Sequence, residues 1–283
     1  MRTQEYGTPP VAGPGQPEPT AWERSLAERP IADVVDQALA EDRLGLALQP
    51  IVASGAGGRI AFHEGLLRIL DTDGAVIPAG AFIPAVETTA LGRRLDRWAL
   101  GRAIELLSGN PLLRLSINLS PLSMADPKWF GIIDRAVAGD PGIGDRLILE
   151  ITENGAMDRP ERTIGFMDRL RRRGLSFALD DFGAGHTSFR HFRDFRFDLV
   201  KIDGGYIRGL PRNPDNQILV KALVTIARHF EMFTVAEFVE TEEEARCLDG
   251  LEVDCQQGFL HGRPSLQWPQ TAGHAEAKTV LSG

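Results

Sequence analysis

The chain has 283 residues, 43% of them hydrophobic and 25% charged; that leaves room for one large folded domain or two small ones and excludes disordered, collagen-like and disulfide-scaffold classes. The net charge of −8 excludes a broad basic surface for DNA or RNA polymers, so a phosphate-bearing ligand must find part of its positive charge in bound cations. Cys247 and Cys255 are too few for a disulfide framework, which points to the cytoplasm, and no run reaches the roughly 20 apolar residues of a membrane span.

Residues 1–29 include TPPVAGPGQPEPT, a Pro/Gly-rich run that cannot bury apolar surface, and are expected to form a disordered tail. The folded unit is expected over 30–268, with a frayed polar tail at 269–283. Pro30 suits the first turn of a helix, which Ile31, Val34, Val35, Ala38 and Leu39 continue at helical spacing. Short apolar runs follow at 45–52, 59–70, 113–120, 146–152, 175–181, 197–203 and 233–240, and more weakly at 251–258. Their Val, Ile, Leu and Phe content is that of strands buried on both faces. Helical periodicity lies between them over 82–107, 129–138, 163–170 and 218–230. In the last, Ile218, Ala222, Leu223, Ile226, Ala227 and Phe230 are expected to line one face.

This alternation predicts an α/β protein with a closed (β/α)8, TIM-like barrel. An open doubly wound sheet is the second architecture, weakened by the absence of GxGxxG. The link between the first two runs, with Gly55, Gly57 and Gly58, is too short for a parallel crossover, which needs about a dozen residues. The first strand is therefore expected to be antiparallel to the second.

Polar residues gather late in these runs: Glu64, Asn118, Glu150, Asp180 and Asp181, Lys201, Glu237, and Gln257. In a (β/α) barrel the C-terminal ends of the parallel strands meet at one mouth. Carboxylates gathered there repel one another unless cations are bound between them. An oxygen-only donor set selects Mg²⁺ or Mn²⁺, with Ca²⁺ admissible, over zinc. There are more carboxylates than one octahedral ion uses, so a two-metal site is expected, as suits in-line attack on a phosphodiester. Lys201 would orient an attacking water or neutralise charge. Taken singly, each residue has a plain structural reading. Asp180-Asp181 before Phe-Gly suits the start of a turn, and neighbouring aspartates on a regular strand face opposite ways. The residues alone also admit an enolase-like barrel with one Mg²⁺ and Lys201 as base.

In chain order, QPIV (49–52), EGLLR (64–68), INLS (117–120), EITE (150–153), DDFGAG (180–185), KID (201–203), AEFVE (236–240), QQGFL (256–260) and Arg263-Pro264 resemble the EAL domain family of bacterial cyclic di-GMP phosphodiesterases. One such motif is weak; the ordered set is specific. The resemblance implies a barrel with an antiparallel first strand, and hydrolysis of cyclic di-GMP to linear pGpG with two divalent cations, Mg²⁺ or Mn²⁺. By position, Glu64, Asn118, Glu150 and Asp180 match ligands of the first ion. Asp180 would bridge to the second, where Asp181 also sits, and Glu237 matches a further metal ligand or proton acceptor. Lys201 matches the lysine that holds the attacking water. Glu153 matches a glutamate that steadies the loop after the fifth strand. Gln49, Leu66 and Arg68 match substrate contacts, Arg68 by its planar fork on a phosphate oxygen. Gln257 matches a polar residue near the metals.

The family further implies a homodimer paired through the region after the fifth strand; a protein partner is an open option for regulation, and the lack of a long apolar run argues against membrane insertion. Some members have lost catalysis and act as cyclic di-GMP receptors; those usually lack metal carboxylates, which this chain retains. The departures are Gly65 in the signature Glu-Ala-Leu, Phe238 in the usual Ala-Glu-Gly-Val-Glu, and His186 and Thr187 for Tyr and Ser. His186 is expected to be a solvated loop residue. Phe238 is expected to pack into the helical layer, so that glycine in its place would lose burial.

Overall fold

A computed structural model describes residues 20–27, 29–55, 57–183 and 194–267. His186, Thr187 and most of the two expected tails lie outside the described residues. The strands are β1 (Leu44–Ala53), β2 (Ile60–Leu70), β3 (Val76–Pro78), β4 (Leu115–Asn118), β5 (Leu147–Thr152), β6 (Ser176–Phe182), β7 (Leu199–Ile202), β8 (Phe233–Ala236) and β9 (Cys255–Gln257). The helices are α1 (Ala21–Ala27), α2 (Ile31–Ala40), α3 (Ile83–Val86), α4 (Ala90–Gly109), α5 (Pro127–Gly139), α6 (Glu153–Asp158), α7 (Pro160–Arg171), α8 (Gly204–Ile207), α9 (Pro214–His229) and α10 (Glu242–Gly250).

The sheet order is β1-β9-β8-β7-β6-β5-β4-β2-β3, and β1 also pairs with β2. That extra pairing closes an eight-stranded barrel and leaves β3 outside, on the edge of β2. β1 is antiparallel to both its neighbours, β2 and β9, whereas β2 and β4 through β9 run parallel to one another. The expected TIM-like barrel with a reversed first strand is therefore what the chain forms.

Strands packed on both sides explain the continuous apolar runs. Outward residues such as Ile117, Leu149, Phe177 and Leu179 meet Leu100 and Leu107 of α4, Trp129 and Ile133 of α5, and Phe166 and Leu170 of α7. On the far side, Ile202 and Ala236 meet Val220 and Val224 of α9 and Leu248 of α10. Among the described residues no helix is long and apolar enough to cross a membrane.

The details differ from the sequence reading in four places. Ala21–Ala27 is helical inside the stretch expected to be tail, with Trp22 and Leu26 against the Val34–Val35 cluster; two apolar residues are too few to announce a helix. β3 has three residues ending in Pro78, below any periodic signal. The helix expected over 82–107 divides at Thr89, whose hydroxyl caps α4 by accepting from Leu91 N–H. The buried face of α9 is Val220, Val224 and Ala227, while Ile218 is 69% exposed. That helix is apolar on several sides, so periodicity does not single out one face.

Candidate active site at the barrel mouth

Side chains alternate between the faces of a strand, so every second residue of the closed sheet enters the lumen. One lumen layer is apolar: Ile51, Phe62, Ile148, Ala178, Leu199, Val235 and Cys255 form a single cluster, one each from β1, β2 and β5 through β9. Two residues further along each parallel strand stand Glu64, Glu150, Asp180, Lys201, Glu237 and Gln257. On β4 the same step leads from buried Ser116 to Asn118. On β1, which runs the other way, the step is backward, from Ile51 to Gln49. The polar residues are thus the next layer of the lumen, at the rim where barrels of this kind carry chemistry.

Lys201 sits at the centre of this layer and is 1% exposed. Its Nζ lies 2.8 Å from Glu150 Oε2, 2.9 Å from Glu237 Oε1, 3.0 Å from Asp180 Oδ1 and 3.3 Å from Glu64 Oε2. Glu64 also accepts from two amides, Asn118 Nδ2 at 2.9 Å and Gln257 Nε2 at 2.7 Å. Burial alone would raise Glu64, but the Lys201 ammonium and these donors outweigh it and hold its carboxyl below the usual range. Burial and the adjoining Glu64 charge push Glu150 well above that range. Burial pushes Glu237 up to about 8, against the pull of Lys201. For Lys201 the order reverses: burial would lower it, and the four carboxylates drive it well above the ordinary ammonium value. One ammonium does not neutralise four carboxylates, and retained protons make up part of the deficit.

Asp181 joins Asp180 through a break in the strand. The β6–β7 register shifts between Leu179 and Phe182, and Asp181 has a left-handed backbone, φ 55°. On a regular strand the two carboxylates would face opposite ways. Here ligand atoms of Asp180, Asp181 and Glu237 all lie within 4.8 Å of one another. Burial and the Asp180 charge raise Asp181. Gly183 follows, and its N–H donates to Glu153 Oε2 at 3.3 Å, so Glu153 at the start of α6 holds the exit of β6.

These residues suit hard divalent cations. Glu150 Oε1 and Gln257 Oε1 are buried and accept no hydrogen bond. The donors of the polar layer are oxygens, with neither imidazole nor thiol among them, which fits Mg²⁺ or Mn²⁺.

The remaining site residues divide into two groups. Glu64, Leu66 and Arg68 share one face of β2 where it rises past the rim between β1 and β3. Arg68 is half-buried, and its Nη1 donates to Leu67 O at 2.7 Å. Gln49 and Gln257 are buried in the lumen. Gln257 Nε2 also reaches Gln49 Oε1 at 3.2 Å, and Gln49 Nε2 donates to Gly262 O at 3.0 Å. They brace Glu64 and the chain after β9. Gly65 has a local cause: a Cβ there would stand 2.9 Å from Leu46 Cδ2.

Phe238 does not enter the helical layer, contrary to expectation. Glu237 N–H donates to Ile202 O, and Val239 N–H donates to Gln257 O, so the chain crosses from β7 to β9 at Phe238. The crossing uses φ 56°, a conformation that glycine adopts freely. The ring stays 47% exposed, covers Gly204, and carries the Arg208 guanidinium 4.7 Å from its centroid.

Sequence reading missed two supporting residues. Asp96, buried on α4, accepts from the Ser120 N–H at 3.1 Å and from its hydroxyl, two residues past Asn118. Tyr206 donates its hydroxyl to Gly183 O at 2.9 Å. Neither lies at a strand end or in a motif of the resemblance, the two signals that marked the others.

Residues 32–264 match the family model described as EAL domain. Cyclic di-GMP phosphodiesterase PdeF of Escherichia coli (strain K12) is 31% identical over 234 residues, covering 81% of this chain and 31% of that protein. Cyclic di-GMP phosphodiesterase PdeB of Shewanella oneidensis is 34% identical over 234 residues, covering 81% of this chain and 27% of that protein. The chain thus spans less than a third of the length of these relatives. Among solved structures, the PaMucR phosphodiesterase in its c-di-GMP complex matches with TM-score 0.76 at 31% identity, over 83% of this chain and 97% of that one. The FimX EAL domain from Pseudomonas aeruginosa bound to c-di-GMP shares the fold, with TM-score 0.77 at 23% identity over 84% of this chain and 98% of that one.

Proposed function

This chain belongs to the EAL domain family, and we propose that it hydrolyses cyclic di-GMP to linear pGpG with two divalent cations, Mg²⁺ or Mn²⁺. The observation that carries the proposal is the polar lumen layer, with four carboxylates around Lys201 and Asp181 folded in beside Asp180. The relatives at 31% and 34% identity are named cyclic di-GMP phosphodiesterases.

Glu64, Asn118, Glu150 and Asp180 would hold one cation, and Asp180, Asp181 and Glu237 the other; such ions supply a Lewis acid for the phosphate charge and lower the pKa of a bound water. The chain's own groups do the rest. Lys201 offers ammonium donors that orient the attacking water toward phosphorus. Glu237, once its own proton is displaced, would accept the one this water gives up. Arg68 grips a phosphate oxygen with its planar fork, and Leu66 supplies apolar contact beside it. Gln257, which also bonds Gln49, keeps Glu64 aimed into the layer, and Glu153 fixes the turn after β6. The reading includes a cytoplasmic homodimer paired through the segment after β6, of which 184–193 lie outside the described residues.

Glu64→Ala, Asn118→Ala and Asp180→Ala are each expected to lower kcat at least about a hundredfold, the scale of losing one electrostatic stabiliser. Lys201→Ala should do the same with a smaller effect on the Kd for cyclic di-GMP, because it acts on water. Chromatographic assay of pGpG, with equilibrium binding alongside, checks this. Near-normal rates in any two of the four variants would refute the assigned site.

A further inference from the structure

The turn that sets Asp181 beside Asp180 is held at a single residue from both sides. Gly183, with φ 95°, donates its N–H to Glu153 Oε2 at 3.3 Å and accepts the Tyr206 hydroxyl on its carbonyl at 2.9 Å. The tyrosine ring closes on this glycine: a Cβ there would stand 2.5 Å from Tyr206 Cε2 and 3.0 Å from its hydroxyl oxygen. The two partners come from the strands on either side of β6. Glu153 follows β5 directly, and Tyr206 lies on α8, directly after the Lys201-Ile202-Asp203 end of β7.

The brace is itself fixed. Asp203 caps α8 by accepting Gly205 N–H at 2.8 Å, and Asn216 Nδ2 donates to Tyr206 O at 3.1 Å. The Tyr206 ring is partly buried against the cluster of Ile202, Ile207 and Val220. Phenylalanine would fill that place as well and keep the ring contact; only the hydrogen bond to Gly183 O would be lost.

A residue bonded at both N–H and C=O resists rotation of its peptide planes, and those planes follow the left-handed Asp181 by two residues. We propose that Tyr206 is a positioning residue: its hydroxyl, acting with Glu153 on Gly183, holds the turn that keeps Asp181 beside Asp180 for the second cation. This rests on the two-cation reading above, in which Asp181 is a ligand. Tyr206 touches neither substrate nor cation in this role; it acts through the backbone of β6.

The test compares wild type, Tyr206→Phe, Glu153→Ala and the double variant by Mn²⁺ calorimetry, steady-state turnover of cyclic di-GMP and thermal melting. Tyr206→Phe should melt within a few degrees of wild type, because its ring remains. Its affinity for the weaker-bound Mn²⁺ should fall about tenfold, the lower end of what loss of a supporting contact costs a metal site. Its kcat should fall by a similar factor with KM little changed. The double variant should lose less than the product of the two single losses, because both contacts act through one residue. Unchanged Mn²⁺ affinity in Tyr206→Phe would overturn the role, and so would fully multiplicative losses in the double variant. Wild type that binds Mn²⁺ but leaves cyclic di-GMP intact overturns the hydrolytic reading alone, and the Mn²⁺ affinities then decide for or against Tyr206.

Discussion

Four carboxylates share one ammonium at the mouth of this barrel, and raised carboxyl pKa values offset part of the shortfall of positive charge. Glu237 keeps its proton up to about 8, and Glu150 is raised as well, both chiefly by burial. Divalent cations cannot enter such a layer without displacing protons. At pH 7, Mn²⁺ binding is expected to release about one proton or more. The calorimetric enthalpy should then vary with the ionisation enthalpy of the buffer, and affinity should rise as pH approaches 8. An enthalpy independent of buffer would contradict the proton inventory. The sign for stability follows from the same shift. The folded pKa of Glu237 lies above the ordinary 4.5, so this group costs the metal-free protein nothing below that pH. The cost grows as pH rises through about 8. Chelation should therefore lower the melting temperature more at alkaline than at acid pH.

At the scale of elements, the exit of β8 and the helix α8 are fitted to each other. A left-handed backbone at a residue such as Phe238 costs about 1–2 kcal/mol, and a ring left half exposed regains only part of that. Phe238→Gly is therefore expected to change the unfolding free energy by less than about 1 kcal/mol, where simple loss of burial would cost a few kcal/mol. Gly204→Ala should destabilise, because its Cβ would stand 2.5 Å from Phe238 Cδ2. Adding Phe238→Gly to that variant should restore most of the loss. Denaturant unfolding of the three variants checks the coupling. A loss of several kcal/mol in Phe238→Gly would mean that the ring's contacts outweigh the strain.

The same turn marks how far the sequence could be read. Polar residues late in successive apolar runs made the mouth legible in the sequence, because a barrel brings those strand ends to one rim. Backbone handedness is another matter. Asp tolerates φ above zero, but the residue type does not announce it, so the way both Asp180 and Asp181 reach one site was hidden. Phe238 concealed its turn more thoroughly, since an aromatic side chain argues for a regular strand. On α9, Ile218, Leu219, Val220, Leu223 and Val224 leave no single apolar stripe, and only the barrel decides that Val220 and Val224 face inward. Tyr206 and Asp96 act through backbone groups far away in sequence, which no local pattern reports.

At the scale of the whole molecule, closure of the sheet assembles the site. Lys201 on β7 meets carboxylates from β2, β5, β6 and the β8 exit, and β1, though reversed, still delivers Gln49 to the same layer by stepping backward. No pair of neighbouring strands holds this arrangement alone, so the chemistry depends on the intact barrel. The chain's charge of −8 gives an anionic dinucleotide no general attraction. On the proposed reading, binding and turnover both come from cations at the mouth and from Arg68. The most direct measurement is the hydrolysis of cyclic di-GMP by the purified chain, first in EDTA and then after adding Mg²⁺ or Mn²⁺. The expected result is no pGpG in EDTA and sustained formation of pGpG once either metal is restored. Turnover that survives EDTA, or metal-loaded protein that binds cyclic di-GMP without opening it, would contradict the two-cation phosphodiesterase.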